Sequence, residues 1–143
     1  MIREIDGDMK KGMQEIRIHM GMFDFNVIFI FGPYSKVEQY MRWKYEDDTI
    51  DVGPETFAKT FSRVGYVPVV WMDHYPKTCT EIASLSHECC HVITNLFEWA
   101  SMSMNHHTEE VLGHGVGYLV RSVLNTCMNR MRQDCAKSKK KEI

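Results

Sequence analysis

Residues 84–96 read SLSHECCHVITNL, in which His87 and His91 bracket Glu88 and the adjacent cysteines Cys89 and Cys90. The stretch lies inside a longer segment, about 79–100, where Ile82, Leu85, Cys89, Val92, Ile93, Leu96 and Ala100 recur at three- and four-residue intervals. That spacing predicts a long helix with one buried stripe. A helix turns about 100° per residue, so His91 lies about 40° from His87, Glu88 about 100° and Cys89 about 200°. The two imidazoles therefore share a face one turn apart and can both reach a single ion. Glu88 flanks them, and Cys89 points to the apolar side. Cys90, about 60° from His87 on the other flank, can approach the same ion, although small buried residues are the ordinary role of such cysteines.

The chemistry of this pattern is specific. Two neutral ring nitrogens suit zinc, and a carboxylate beside them is placed to take a proton from water. A catalytic zinc site adds a third protein ligand and keeps one position open. Downstream, after the polar loop SMSMNHH (101–107), the candidates are His106, His107, Glu109, Glu110 and His114. Thr108 is a possible cap for a last helix running to about Gln133, and Glu109 and Glu110 suit its positive N-terminal end. Gly113, Gly115 and Gly117 each cost about 1 kcal/mol against alanine inside such a helix. Either the helix starts later, or the glycines let its Glu110/His114 face pack closely on the His87/His91 helix.

Working outward, EIRIHM (15–20) alternates apolar and polar residues, and DFNVIFIFG (24–32) is β-branched and aromatic. Both read as strands of a hairpin turning near Gly21. A helix follows over 34–46, then an Asp- and Gly-marked loop. Residues 54–64 (PETFAKTFSRV) fit a short helix, with Pro54 at its first position and Gly65 after its end. YVPVVWMDHY (66–75) reads as a strand, and Pro68, lacking an N–H, predicts an edge position. The fold expected is α+β: a short antiparallel sheet with an edge strand packed on the His87/His91 helix, and a C-terminal helix carrying the third ligand. One domain is expected over 1–136, with a flexible basic tail, KSKKKEI, over 137–143.

Composition narrows the function classes. The 143 residues carry a formal net charge of −2, with 44% hydrophobic and 25% charged residues, ordinary for a soluble globular chain. There is no basic surplus to recruit nucleic acid. The longest apolar run, VIFIF (27–31), is far too short to span a bilayer, and the N-terminus lacks an export signal. Five cysteines, none in a C-x-x-C pair, fit free thiols in a reducing cytoplasm. Adjacent Cys89 and Cys90 diverge by about 100° on a helix, which disfavours a relaxed disulfide between them.

HECCH, followed 19 residues after its second histidine by EVLGHGVGY (110–118), resembles the gluzincin group of zinc peptidases. It also resembles small phage-encoded proteins in which a strand like VVWMD precedes an H-E-x-x-H helix and a segment like E-x-x-A-Y-L-x-G-Y. The likeness covers roughly residues 66–125. It implies a zincin-like fold, a Zn2+ cofactor held by His87, His91 and Glu110, Glu88 as general base, and His114 at the position of a polar group that supports a histidine ligand. His114 stands where Asp or Tyr is usual, so support of a histidine ligand, donation to the reacting carbonyl and direct ligation all remain open for it, and Glu109 is an alternative ligand to Glu110. The activity implied is hydrolysis of a peptide or protein substrate in the cytoplasm, the host's if the chain is phage-encoded. Such a peptide could add to the free edge of the strand at 66–75. Oxyanion donors are not chosen among His106, His107, His114 and Tyr118. Two other functions stand beside it: a zinc-stabilised binding or regulatory module without turnover, and, more weakly, a thiol sensor using Cys89 and Cys90.

Overall fold

The computed structural model describes residues 11–141; the start of the expected domain (1–10) and the last two tail residues (142–143) lie outside the described residues. The hairpin forms as read. Strands β1 (Gln14–Met20) and β2 (Phe25–Phe31) pair antiparallel, with Ile16 opposite Phe29 and Ile18 opposite Val27. The turn between them closes through a hydrogen bond from the Phe23 N–H to the Met20 carbonyl and places Asp24 at φ 48°. Short polar Asp tolerates that left-handed conformation. Helix α1 (Tyr34–Tyr45) follows and ends at Glu46, also left-handed at φ 52°.

Residues 54–64, expected as a short helix, instead hold strand β3 (Ala58–Phe61). Lys59, Thr60 and Phe61 pair with Trp71, Val70 and Val69 of strand β4 (Val69–Met72). Tertiary pairing overrides the weak local preference of Ala-Lys-Thr-Phe. The sheet order is β1-β2-β4-β3, with β2 and β4 parallel, so the sheet is mixed, not antiparallel. It also moves the edge: β4 is internal and β3 is the outer strand. Pro68 is tolerated because it precedes the first strand residue, and its carbonyl accepts the Ile28 N–H at 3.0 Å.

Both faces of the sheet are covered. On one, Ile28, Ile30, Val69, Trp71 and Phe61 pack with Val37, Tyr40, Met41 and Tyr45 of α1. The Trp71 indole N–H reaches the Gly32 carbonyl at 2.8 Å, satisfying its one donor in the core. On the other, Ile16, Ile18, Met20, Val27, Phe29, Phe31, Val70 and Met72 meet two helices, α2 (Cys79–Trp99) and α3 (Glu109–Lys141). Each fully buried large apolar side chain contributes about 1.5–3 kcal/mol, which is why β2, buried on both sides, is apolar almost throughout. No helix among the described residues is long and apolar enough to cross a membrane.

The last helix differs from expectation in two ways. It runs on to Lys141, so residues 137–141 of the basic tail are helical and exposed, with Lys139, Lys140 and Lys141 complementing the negative end of its dipole. Its packed stripe is Gly115, Leu119, Val123 and Cys127, not the Glu110/His114 face. A Cβ at Gly115 would meet Ile93 Cδ1 of α2 at 3.0 Å, whereas Gly113 and Gly117 have nothing within 4 Å. Only the middle glycine marks a close approach.

Those three glycines should therefore respond differently to alanine. Gly113→Ala and Gly117→Ala are expected to raise stability by up to about 1 kcal/mol each, about 3 °C in melting temperature. Gly115→Ala should gain clearly less, because the tightly packed Ile93 side chain must give way; thermal denaturation of the three variants checks the order.

Candidate functional site

Helix α2 begins with a capping box. The Thr78 hydroxyl accepts the Glu81 N–H at 3.2 Å while Glu81 Oε2 accepts the N–H groups of Thr78 (3.0 Å) and Lys77 (2.6 Å). This satisfies donors that would otherwise be orphaned and fixes where the helix starts. From there the rotation of every side chain follows. Leu85, Cys89, Val92, Ile93, Leu96 and Phe97 are buried, which turns His87 and His91 outward, and both are exposed.

The two rings converge. Nε2 of His87 and Nε2 of His91 are 3.0 Å apart, with ring planes at 82°. That is an ordinary hydrogen-bond distance. It is also close to the spacing of about 3.3 Å for two nitrogens sharing one zinc at about 2.0 Å each with a tetrahedral angle. These two donors fit a zinc ion.

Glu88, between the histidine face and the buried stripe, is 9% exposed and is the buried charged side chain among the described residues. A buried carboxylate needs a partner, and the edge strand supplies it: the Thr60 hydroxyl donates to Glu88 Oε2 at 2.6 Å. Helix and strand enclose an open cleft of about 390 Å³ lined by Ala58, Lys59, Thr60, Ser62, Glu88, His91 and Asn95. Its walls are small or polar.

The downstream candidates do not join this cleft. Among the described residues, no group of three or more His, Cys, Asp or Glu side chains is placed to hold a metal ion, so Glu110 does not meet His87 and His91 here. The reason is rotational. With Leu119 at the centre of the packed stripe of α3, Glu110 is about 180° round and His114 about 140°, and both are exposed. In addition, α3 packs on Ile93, which is about 160° from His91 around α2; the third helix covers the flank opposite the histidines. Glu109 pairs with His106 at 3.0 Å (Nδ1 to Oε1) in the solvent. The His107 N–H donates to Asn105 Oδ1, and the Tyr118 hydroxyl donates to the His19 carbonyl on β1 at 3.0 Å. Neither is tied to the cleft. The zinc fit is thus two donors from α2 without a third among the described residues.

Thr60 and Asn95 line the cleft but were not legible as site residues. Thr60 falls in a stretch whose local pattern fits a helix, and Asn95 continues the ridge of His87 and His91 at one further turn without a residue type that announces it. All five cysteines are free; Cys89 is buried as expected, with burial pushing its thiol up, whereas Cys90, for which a small buried role was also expected, is exposed because it lies about 100° further round α2. A thiol held protonated is a poor nucleophile.

Compared with known protein families, with curated proteins and with solved structures, the chain has no match.

The cap of α2 also carries charge chemistry. His74, just after β4, sits between two carboxylates: Nδ1 is 3.0 Å from Asp73 Oδ2 and Nε2 is 2.7 Å from Glu81 Oε1. Only the imidazolium donates to both. The Asp73 contact first, then Glu81, raises His74 above its usual 6.5, while the Lys77 and Thr78 N–H groups and then His74 hold Glu81 down to about 2. A raised histidine stabilises the fold below its unfolded value and loses that contribution as pH climbs through the folded value; a depressed carboxylate stabilises above about 4.5 and loses it as pH falls towards 2. The melting temperature should therefore decline as pH rises above about 6.5 and again in acid. His74→Gln should flatten the upper limb and Glu81→Gln the lower, read by thermal denaturation from pH 3 to 9.

Proposed function

We propose that this chain is a zinc-dependent hydrolase, a peptidase that takes an extended peptide along the outer strand β3. The observation that carries it is the convergence of His87 Nε2 and His91 Nε2 at 3.0 Å, next to Glu88 at the wall of a cleft bounded by the outer strand β3, whose far edge has no partner strand among the described residues. Zinc held by His87 and His91 would supply Lewis acidity and a water acidified towards neutral pH. The rest falls to the chain. The outer edge of β3, without a partner strand among the described residues, offers backbone donors and acceptors to a peptide in extended conformation. Glu88 accepts a proton from water as the water oxygen bonds to the carbonyl carbon, and delivers it to the amine as the C–N bond breaks.

A third ligand is required for a catalytic site. Glu110 is the carboxylate that the gluzincin likeness implies, with Glu109 as its alternative; for either to serve, the first turn of α3 must reorient towards α2. The outward placement of Glu110 favours a second reading, a zinc-stabilised binding or regulatory module that holds the metal without turnover.

The purified chain is expected to carry stoichiometric zinc, lost in His87→Ala and His91→Ala, and to cleave peptides in a chelator-sensitive way. Glu88→Gln should keep the metal and lower turnover by about 10²- to 10⁴-fold; full activity in that variant would remove Glu88 from the chemistry. Metal content of Glu110→Ala beside Glu109→Ala identifies the third ligand. Zinc retained by both variants, with no peptide cleaved by the wild type, would point to the binding module.

A further inference from the structure

We infer that Thr60, on the edge strand, is a positioning residue for Glu88; this rests on the hydrolase reading above. On the face of the sheet that packs on α2 and α3, β1 presents Ile16, Ile18 and Met20, β2 presents Val27, Phe29 and Phe31, and β4 presents Val70 and Met72. Thr60 pairs with Val70 and so faces the same way. It is a hydroxyl where the neighbouring strands are apolar, and Glu88 is the carboxylate it meets.

Its one proton has two acceptors in reach, Glu88 Oε2 at 2.6 Å and the Glu88 carbonyl at 3.1 Å. The shorter contact is in the range of a charge-assisted O–H···O⁻ bond. A hydrogen bond to one carboxylate oxygen fixes the χ angles of Glu88 and leaves Oε1 for a proton arriving from the cleft. Thr60 is half-buried on a strand held by β4, so its hydroxyl is placed by backbone pairing, and its branched side chain has few rotamers to lose. Without it Glu88 would be free to swing to other rotamers, and small misplacements of a base cost rate far more than they cost binding. Thr60 touches neither the reacting carbonyl nor the water in this role; it acts through Glu88.

Two measurements on the full chain decide it. The first uses zinc-loaded protein with a quenched-fluorescent mixture of short unstructured peptides. Thr60→Val should lower kcat about tenfold or more while leaving KM and zinc content unchanged, and Thr60→Ser, which keeps the donor, should restore kcat. Unchanged kcat in Thr60→Val overturns the inference. So does a loss that Thr60→Ser fails to restore, or one that falls equally on KM, since either marks a structural role only. Thr60→Ala replaces Thr60→Val if the latter does not fold. The second is a thermal double-mutant cycle of Thr60→Val and Glu88→Leu on metal-free protein, which removes the donor and the acceptor in turn and needs no activity. Additive melting shifts would show that the two side chains do not interact, and would also overturn the inference. If the wild type cleaves none of the peptides, the hydrolase reading itself fails, and a coupled cycle then leaves Thr60 as a structural partner of Glu88.

Discussion

The rotation of α2 about its own axis is the constraint on which the site depends. Its apolar stripe must be buried against the sheet and α3, and the capping box at Thr78 and Glu81 fixes where the helix begins. Since a residue advances the wheel by about 100°, burying Leu85, Cys89, Val92 and Leu96 leaves no freedom for the others. His87 and His91 must face solvent, Glu88 must face the flank where β3 passes, and Ile93 must face α3. Moving the buried set back by one position would bury His91 and expose Leu85. The stabilisation from several buried side chains, at about 1.5–3 kcal/mol each, far exceeds the cost of gathering two exposed imidazoles.

That same rotation separates the two histidines from the thiols. Cys89 lies inside the core with its thiol held protonated by burial, and Cys90 points outward. The two neighbours in sequence occupy different environments, so a paired redox function has no geometry to work with. Glu88 differs: it is largely buried, but on the flank where a strand edge can offer a hydroxyl and a cleft can admit solvent. A buried carboxylate is costly unless it is hydrogen-bonded, and Thr60 meets that need with one bond while the second oxygen remains uncommitted to it.

The position of α3 is the point on which the catalytic and the binding readings part. It packs through Gly115 against Ile93, because a glycine there leaves room for the Ile93 side chain and Leu119, Val123 and Cys127 then complete the core. With that stripe inward, Glu110 and His114 are outward. A carboxylate at the helix start is already favourable there through the dipole, and Glu109 has His106 as its partner. Bringing either glutamate to the histidines would exchange these local interactions for the metal bond that the proposed zinc site requires.

Much of this was legible in the chain. The hairpin, α1, the long helix and its buried stripe follow from periodicity, and the outward pairing of His87 with His91 and the inward turn of Cys89 follow from helical rotation alone, because these are local properties repeated over many residues. Tertiary structure decided what depends on partners distant in sequence. Residues 58–61 are a strand because β4 offers an edge to pair with, which no pattern within PETFAKTFSRV encodes; hence β4 became internal, the sheet became mixed, and Thr60 reached Glu88. The face α3 presents was likewise settled by which glycine sits against Ile93. A local period specifies which residues of an element share a side, but only packing against the rest of the molecule determines what that side will touch.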